Sequence, residues 1–378
     1  MRYLGFIAIL IVQGLWAELD AQNRIGFKGQ FSTAANYSPD NEMDLFIGGR
    51  YIPQLEYSYR IDSANLLDFE ASANMSASAF LRSFDSSSNT STLNPYRLWA
   101  RYSTRRSEFR IGLQKIDFGS ASLLRPIQWF NQIDPRDPLQ LTNGVYAALY
   151  RHYLKNNANI WLWALYGNEK TRGFDVVNTN EQIPEYGGRV QLPLQQGEIA
   201  MSYHHRVADS RGQMFLPEIS KIPEDRIGID GKWDVGVGLW FESSYVHKHE
   251  SILNFTEQAM LNLGADYTFS VGNGLNMMVE HLAVSFDSTA FAFEQTAHVT
   301  ALMANYPLAL FDQIMLLTYY NWSTESPILL LNYQHQFKHI SGYVLAYYNP
   351  ESTQGIQEND LVNSFQGPGI RIMLVYNH

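Results

Sequence analysis

The sequence contains no cysteine. Disulfides, thiolate metal centres and a lipid-modified cysteine are therefore excluded. Charged side chains are scarce, at 17% of 378 residues, which is little for a surface that meets water on every side. Long apolar runs are also missing. Beyond residues 3–12 nothing approaches the roughly 18 apolar residues of a membrane-crossing helix. No glycine-rich phosphate loop lies between a strand and a helix, and nothing points to a cofactor. The net charge of −10 argues against a nucleic-acid partner. If this chain lives in a membrane, it must cross as a closed β-barrel, because only helices and closed sheets satisfy their own backbone in hydrocarbon.

Aromatic residues are plentiful, with 23 Tyr, 21 Phe and 8 Trp. A core does not need so many tyrosines, whereas the boundary between water and hydrocarbon favours them. On this ground Trp161, Trp163 and Trp240 are expected to be exposed anchors at the lipid interface. The amino terminus reads MRYLGFIAILIVQGLWAELDAQ. Arg2, a short apolar run from Tyr3 to Val12, and the small residues Ala17 and Ala21 mark residues 1–21 as a signal peptide. Residues 22–378 then form one β-barrel domain.

A period of two recurs along that domain. Leu67, Phe69, Ala71, Ala73 and Met75 alternate with Asp68, Glu70, Ser72 and Asn74. Leu261, Leu263, Ala265 and Tyr267 alternate with Asn262 and Asp266. This is the pattern of strands with one apolar and one polar face. Eighteen such segments are legible between residues 24 and 378. They are longer than the five or six residues or so of an ordinary strand. Segments 157–167, 274–287 and 326–338 alternate poorly, and their faces are left unassigned. The gaps between segments are short and long in turn. Long ones are expected at 38–43, 83–93, 118–143, 168–184 and 208–223, with the Ser/Asn/Thr run 83–92 a flexible loop. Short turns at one end and long loops at the other suit an outer-membrane barrel. The fold expected is all-β: a transmembrane antiparallel barrel of about 18 strands, with the long loop after strand 5 folded into the lumen.

That loop, 118–143, is the longest of the five. Pro126, Pro135 and Pro138 stiffen it. Leu123, Leu124, Ile127, Trp129 and Phe130 would pack against the inner wall. Arg125, Asp134, Arg136 and Asp137 would then line the pore constriction. Alternation turns Arg50, Arg97, Arg101, Arg110 and Glu108 towards the lumen as pore-lining residues. A basic wall opposite Asp134 and Asp137 would set a transverse field that selects among solutes. The bland alternative is that these arginines neutralise lumenal carboxylates and that the insert is a surface loop.

The GLQKIDFG stretch, followed by a loop containing IDPRDP and then an aromatic strand, resembles outer-membrane porins of the alginate-export type and its relatives. The resemblance covers about residues 107–155 and departs where such proteins carry Trp-Gly and this chain has Phe118-Gly119. It implies an eighteen-stranded channel with an internal loop, and carries over no substrate.

The function expected is passive diffusion of small hydrophilic solutes, anionic or carbohydrate in character, through a bacterial outer membrane. Partners would be membrane lipid and lipopolysaccharide, the solutes and the barrel assembly machinery. The barrel would be a monomer or a homotrimer, and not an enzyme. Two alternatives stand beside this: a non-conducting barrel for surface-polymer assembly or adhesion, and an outer-membrane enzyme. No catalytic Ser–His–Asp set is readable. His204 and His205, being adjacent on a strand, must point to opposite faces. His247 and His249 share a face but are not expected to bind metal.

Overall fold

The computed structural model describes residues 23–82, 86–350 and 366–378. The expected signal peptide, 1–21, lies outside the described residues. The chain forms β1 (Asn23–Tyr37), β2 (Leu45–Arg60), β3 (Leu66–Arg82), β4 (Ser86–Ser103), β5 (Ser107–Gln114), β6 (Val145–Tyr153) and β7 (Asn159–Leu165). Then come β8 (Asn178–Thr179), β9 (Glu185–Leu194), β10 (Gly197–Asp209), β11 (Ile222–Asp234), β12 (Gly238–Lys248) and β13 (Glu257–Phe269). The last six are β14 (Leu275–Asp287), β15 (Thr296–Ala309), β16 (Asp312–Asn321), β17 (Ser326–Gln336), β18 (Ile340–Asn349) and β19 (Gly367–Asn377). The two-residue β8 pairs only with the end of β10. Apart from it, the remaining eighteen of the nineteen strands form one antiparallel ring. The ring closes at β1, where Phe31 lies opposite Tyr51 of β2 and Tyr376 of β19. Closure leaves no sheet edge unpaired, as a bilayer requires.

Alternation sets the two faces. Phe27, Phe31, Leu55, Phe69, Leu263, Leu316 and Ile372 are exposed outward. Asp68, Arg97, Arg189, Asp230, Glu242 and Glu280 are buried on the inner side. The strands with poor alternation now have a reason. In β7, β14 and β17 both faces are apolar because the inner one packs against chain inside the barrel. Trp163 and Leu165 of β7, Leu282 and Val284 of β14 and Leu330 of β17 belong to interior apolar clusters. Interior clusters of this kind follow from the insert after β5, which turns into the lumen.

Three expectations are corrected. Trp163 and Trp240 are only 3% and 4% exposed, and Trp161 packs partly buried against the interior cluster. These indoles sit on the inward parity of β7 and β12, so they cannot anchor the lipid interface. Residues 86–92 are strand and not loop: β4 starts at Ser86, which pairs with Arg82, while 83–85 lie outside the described residues. The insert is also longer than 118–143, since β5 ends at Gln114 and β6 begins at Val145.

Leu316 lies outward near the middle of β16, 41% exposed. Leu316→Arg should destabilise the barrel by about 2–4 kcal/mol, the cost of a midplane cation on the lipid face. Urea titration of the refolded protein in lipid vesicles measures this.

Candidate functional site

Residues 115–144 form no helix or strand, so their amides have no ladder to join. Inside a barrel those amides must still find acceptors. Wall carboxylates supply them. Glu280 of β14 accepts the N–H groups of Ser122, Leu123 and Leu124 at 2.7, 3.1 and 2.6 Å. It also accepts Trp240 Nε1 at 3.0 Å and Asn262 Nδ2 at 2.8 Å. Glu242 of β12 accepts the N–H groups of Ala121 and Ile127 at 2.9 and 2.8 Å. Ser120 donates its hydroxyl to Asp230 at 2.9 Å, and Arg189 clamps the same carboxylate. Asn262 Nδ2 reaches the Leu124 carbonyl.

Apolar packing completes the seat. Leu123 and Leu124 join Met260, Leu282, Val299, Leu317, Leu330 and Leu345 of the wall. Ile127, Trp129 and Phe130 join Val145, Leu149 and Trp163. Each such side chain contributes about 1.5–3 kcal/mol when fully buried. The five apolar residues expected to face the wall do so.

A second segment, 166–184, also turns inward, which the sequence reading missed. Asp175 pairs with Arg206 at 2.8 Å and Arg226 at 2.6 Å, and both arginines bind Glu224. Arg172 pairs with Glu185 at 2.6 Å, and Val177 is fully buried. Gly173, with φ +56°, lies so close to the Gln128 carbonyl that a Cβ would collide with it. The two inward segments therefore touch. Glu185, Arg206, Glu224 and Arg226 are buried on the inward parity of β9, β10 and β11, but nothing in a single sequence says that a loop aspartate meets them.

Of the four expected constriction residues, Arg125 is buried and pairs with Asp117 at 2.6 Å. Burial resists ionisation of Asp117, but the charge of Arg125 and its hydrogen bonds outweigh this and hold the carboxyl below its ordinary value. Asp134 and Arg136 pair with each other at 2.8 Å, both buried. Asp137 accepts the Leu139 N–H at 3.0 Å. Burial pushes its carboxyl above the ordinary value, against the pull of that N–H and of Arg50 and Arg371.

Arg50, Arg97, Arg101, Arg110 and Glu108 all stand on the inner face of β2, β4 and β5 by register. Arg50 faces Asp137. Arg97 donates to the Thr142 carbonyl at 2.9 Å, holding the returning limb of the insert. Arg101 binds Asp68, and Arg110 binds Glu108, each at 2.9 Å. The structure thus joins Arg50 and Arg97 to the insert, and sets Arg101, Arg110 and Glu108 nearer the short-turn end. Among the described residues no group of three or more His, Asp or Glu is arranged to hold a metal ion. His204 is buried inward and His205 faces out against Asp225. His247 and His249 are bound to Glu257 and Asp225 respectively.

Neither a protein-family model nor any curated protein sequence matches this chain. Solved structures do. OmpT of Vibrio cholerae, an outer membrane protein folded in vitro and seen as a trimer, superposes with a TM-score of 0.54 at 10% identity, covering 94% of this chain and 99% of that one. Salmonella typhi OmpF in complex with daunomycin gives 0.51 at 10% identity over 94% and 98% of the two chains. The anion-selective porin of Comamonas acidovorans gives 0.50 at 10% identity over 94% and 100%. The chain has the fold of the outer-membrane porins. At this identity the likeness reaches the porin barrel and stops there. The narrower resemblance to the alginate-export type rests on residues 107–155 alone.

Glu280→Ala should leave four donors, the N–H groups of Ser122, Leu123 and Leu124 and Trp240 Nε1, without an acceptor and cost at least about 3 kcal/mol, since each orphaned buried donor carries about 1–3 kcal/mol. Unfolding in vesicles reads the loss. Limited proteolysis should show new cleavage between residues 118 and 130 in the variant, and none in the parent.

Proposed function

We propose that the protein is a passive diffusion channel of a bacterial outer membrane for small hydrophilic solutes, anionic or carbohydrate in character. The observation that carries this reading is the insert seated inside a porin barrel, facing an ionised wall on β2, β4 and β5. In this reading the long-loop end faces the exterior and the short turns face the periplasm. Arg125, Asp134, Arg136 and Asp137 shape the constriction, with Arg50, Arg97, Arg101, Arg110 and Glu108 as pore lining. A solute exchanges part of its hydration for these groups, and weak binding lets it leave. No covalent chemistry or cofactor enters. Lipid, lipopolysaccharide and the assembly machinery are its partners, as a monomer or homotrimer.

A second reading has an observation of its own. Two segments, 115–144 and 166–184, pack inside one lumen, and Ile116, Leu124 and Ile127 are at most 1% exposed. A lumen filled this way suits a non-conducting barrel for surface-polymer assembly or adhesion. The enzyme alternative has less behind it. Ser107 Oγ meets His152 Nδ1 at 2.9 Å, but the third group there is the Tyr150 hydroxyl and not a carboxylate.

Planar-bilayer recording of the mature barrel separates the first two readings. Stable discrete current steps are expected; a correctly folded barrel that gives none is a plugged one. Asp137 supplies a pH signature. Its folded value is raised, so the window opens at the ordinary 3.8 and extends upward to the folded value. As pH rises through that window a buried negative charge appears and weakens the insert's seat; as pH falls, the charge is lost. Lowering the pH should therefore shift the reversal potential in a salt gradient towards anion selectivity. Asp137→Asn should keep the anion-shifted potential above that window, where the parent has lost it.

A further inference from the structure

Below the insert, near the short turns 104–106 and 154–158, three guanidinium groups converge on one carboxylate. Arg110 approaches Glu108 at 2.9 Å, Arg101 at 3.6 Å and Arg151 at 3.8 Å. Asp68 also binds Arg101. Glu70 of β3 is also within electrostatic reach of Arg110, so the three cations are matched by three carboxylates, and Arg151 shares Glu108 with both neighbouring arginines. The geometry is stiffened by indoles. Arg151 lies 3.9 Å over Trp161, and Arg110 lies 4.7 Å over Trp99. Cation–π stacking of this kind fixes a guanidinium plane and turns its N–H edge away from the ring. Arg151 makes no hydrogen bond to any described residue, although a guanidinium has five N–H donors. Arg151, Arg110 and Arg101 remain 17%, 15% and 28% exposed, so the lumen reaches them.

We propose that Arg101, Arg110 and Arg151, held by Trp99 and Trp161, form a binding subsite for the oxyanion of a passing solute, a carboxylate or phosphate. Glu108 occupies part of the same ring of donors. It acts as a resident competitor that keeps the binding weak enough for release. Arg151 offers the open fork, matched to two oxygens of one oxyanion. The subsite rests on the channel reading for its role, since it makes selection a two-step affair: size at the insert, charge beneath it.

Calorimetric titration of the full mature barrel in detergent with inorganic phosphate tests the site without requiring conduction. Saturable binding is expected for the parent, weakened at least tenfold by Arg151→Gln and tightened severalfold by Glu108→Gln. Repeating the titration with acetate tells carboxylate from phosphate preference. Absence of saturable binding of either anion to the parent overturns the proposal. So does unchanged affinity in both variants, each first shown to be folded by heat-modifiable migration. Bilayer recording of the same samples keeps the two ideas apart. Phosphate binding without current steps would retain the subsite and remove the channel; current steps without binding would do the reverse.

Discussion

Irregular backbone inside a barrel has to be paid for with hydrogen-bond acceptors, and here Glu242 and Glu280 provide them. Between them they take five amide N–H groups of one short stretch, residues 121–127. Successive amides that point to one side make a concave anion-binding surface. In this protein the acceptors are carboxyl groups of the opposite wall, so the insert is bound as a ligand would be. Charge-assisted bonds of this sort are about twice as strong as neutral ones. They fix where the insert crosses, and therefore which wall it covers and which it leaves open.

The inner surface divides accordingly. From β13 to β19 it is largely apolar, with Met260, Leu282, Leu317, Leu330, Leu345 and Met373 buried against each other and the insert. From β2 to β6 it carries Arg50, Asp68, Glu70, Arg97, Arg101, Arg110, Glu108 and Arg151. Side chains alone cannot fill a barrel of this many strands. The insert supplies the missing apolar volume on one side only.

The segment 166–184 follows the same logic with opposite chemistry. It contributes a carboxylate, Asp175, to a cluster of wall cations instead of amides to wall carboxylates. A buried charge cluster is costly unless every member is paired. Arg206, Arg226, Glu224 and Asp175 pair with one another, which ties that loop to the wall. Its contact with the insert at Gly173 makes the two segments one body inside the barrel.

Period-two alternation, read from residues alone, determined the strands, their number, the closed all-β class and the inward parity of Arg50, Arg97, Arg101, Arg110 and Glu108. It could do so because a strand's side chains must alternate whatever the strand packs against. The length, prolines and apolar residues of the stretch after β5 also pointed inward, for nothing else in the chain could shield Leu123, Leu124 and Phe130. The tertiary structure alone decided the rest. Trp163 and Trp240 resemble lipid anchors in sequence, and only parity within the closed ring turns them inward. Glu242 and Glu280 look like any lumenal acid, because which amides they meet depends on strands more than a hundred residues away. The poorly alternating β7, β14 and β17 were ambiguous for the same reason: their second apolar face answers to chain that lies inside the barrel and is distant in sequence.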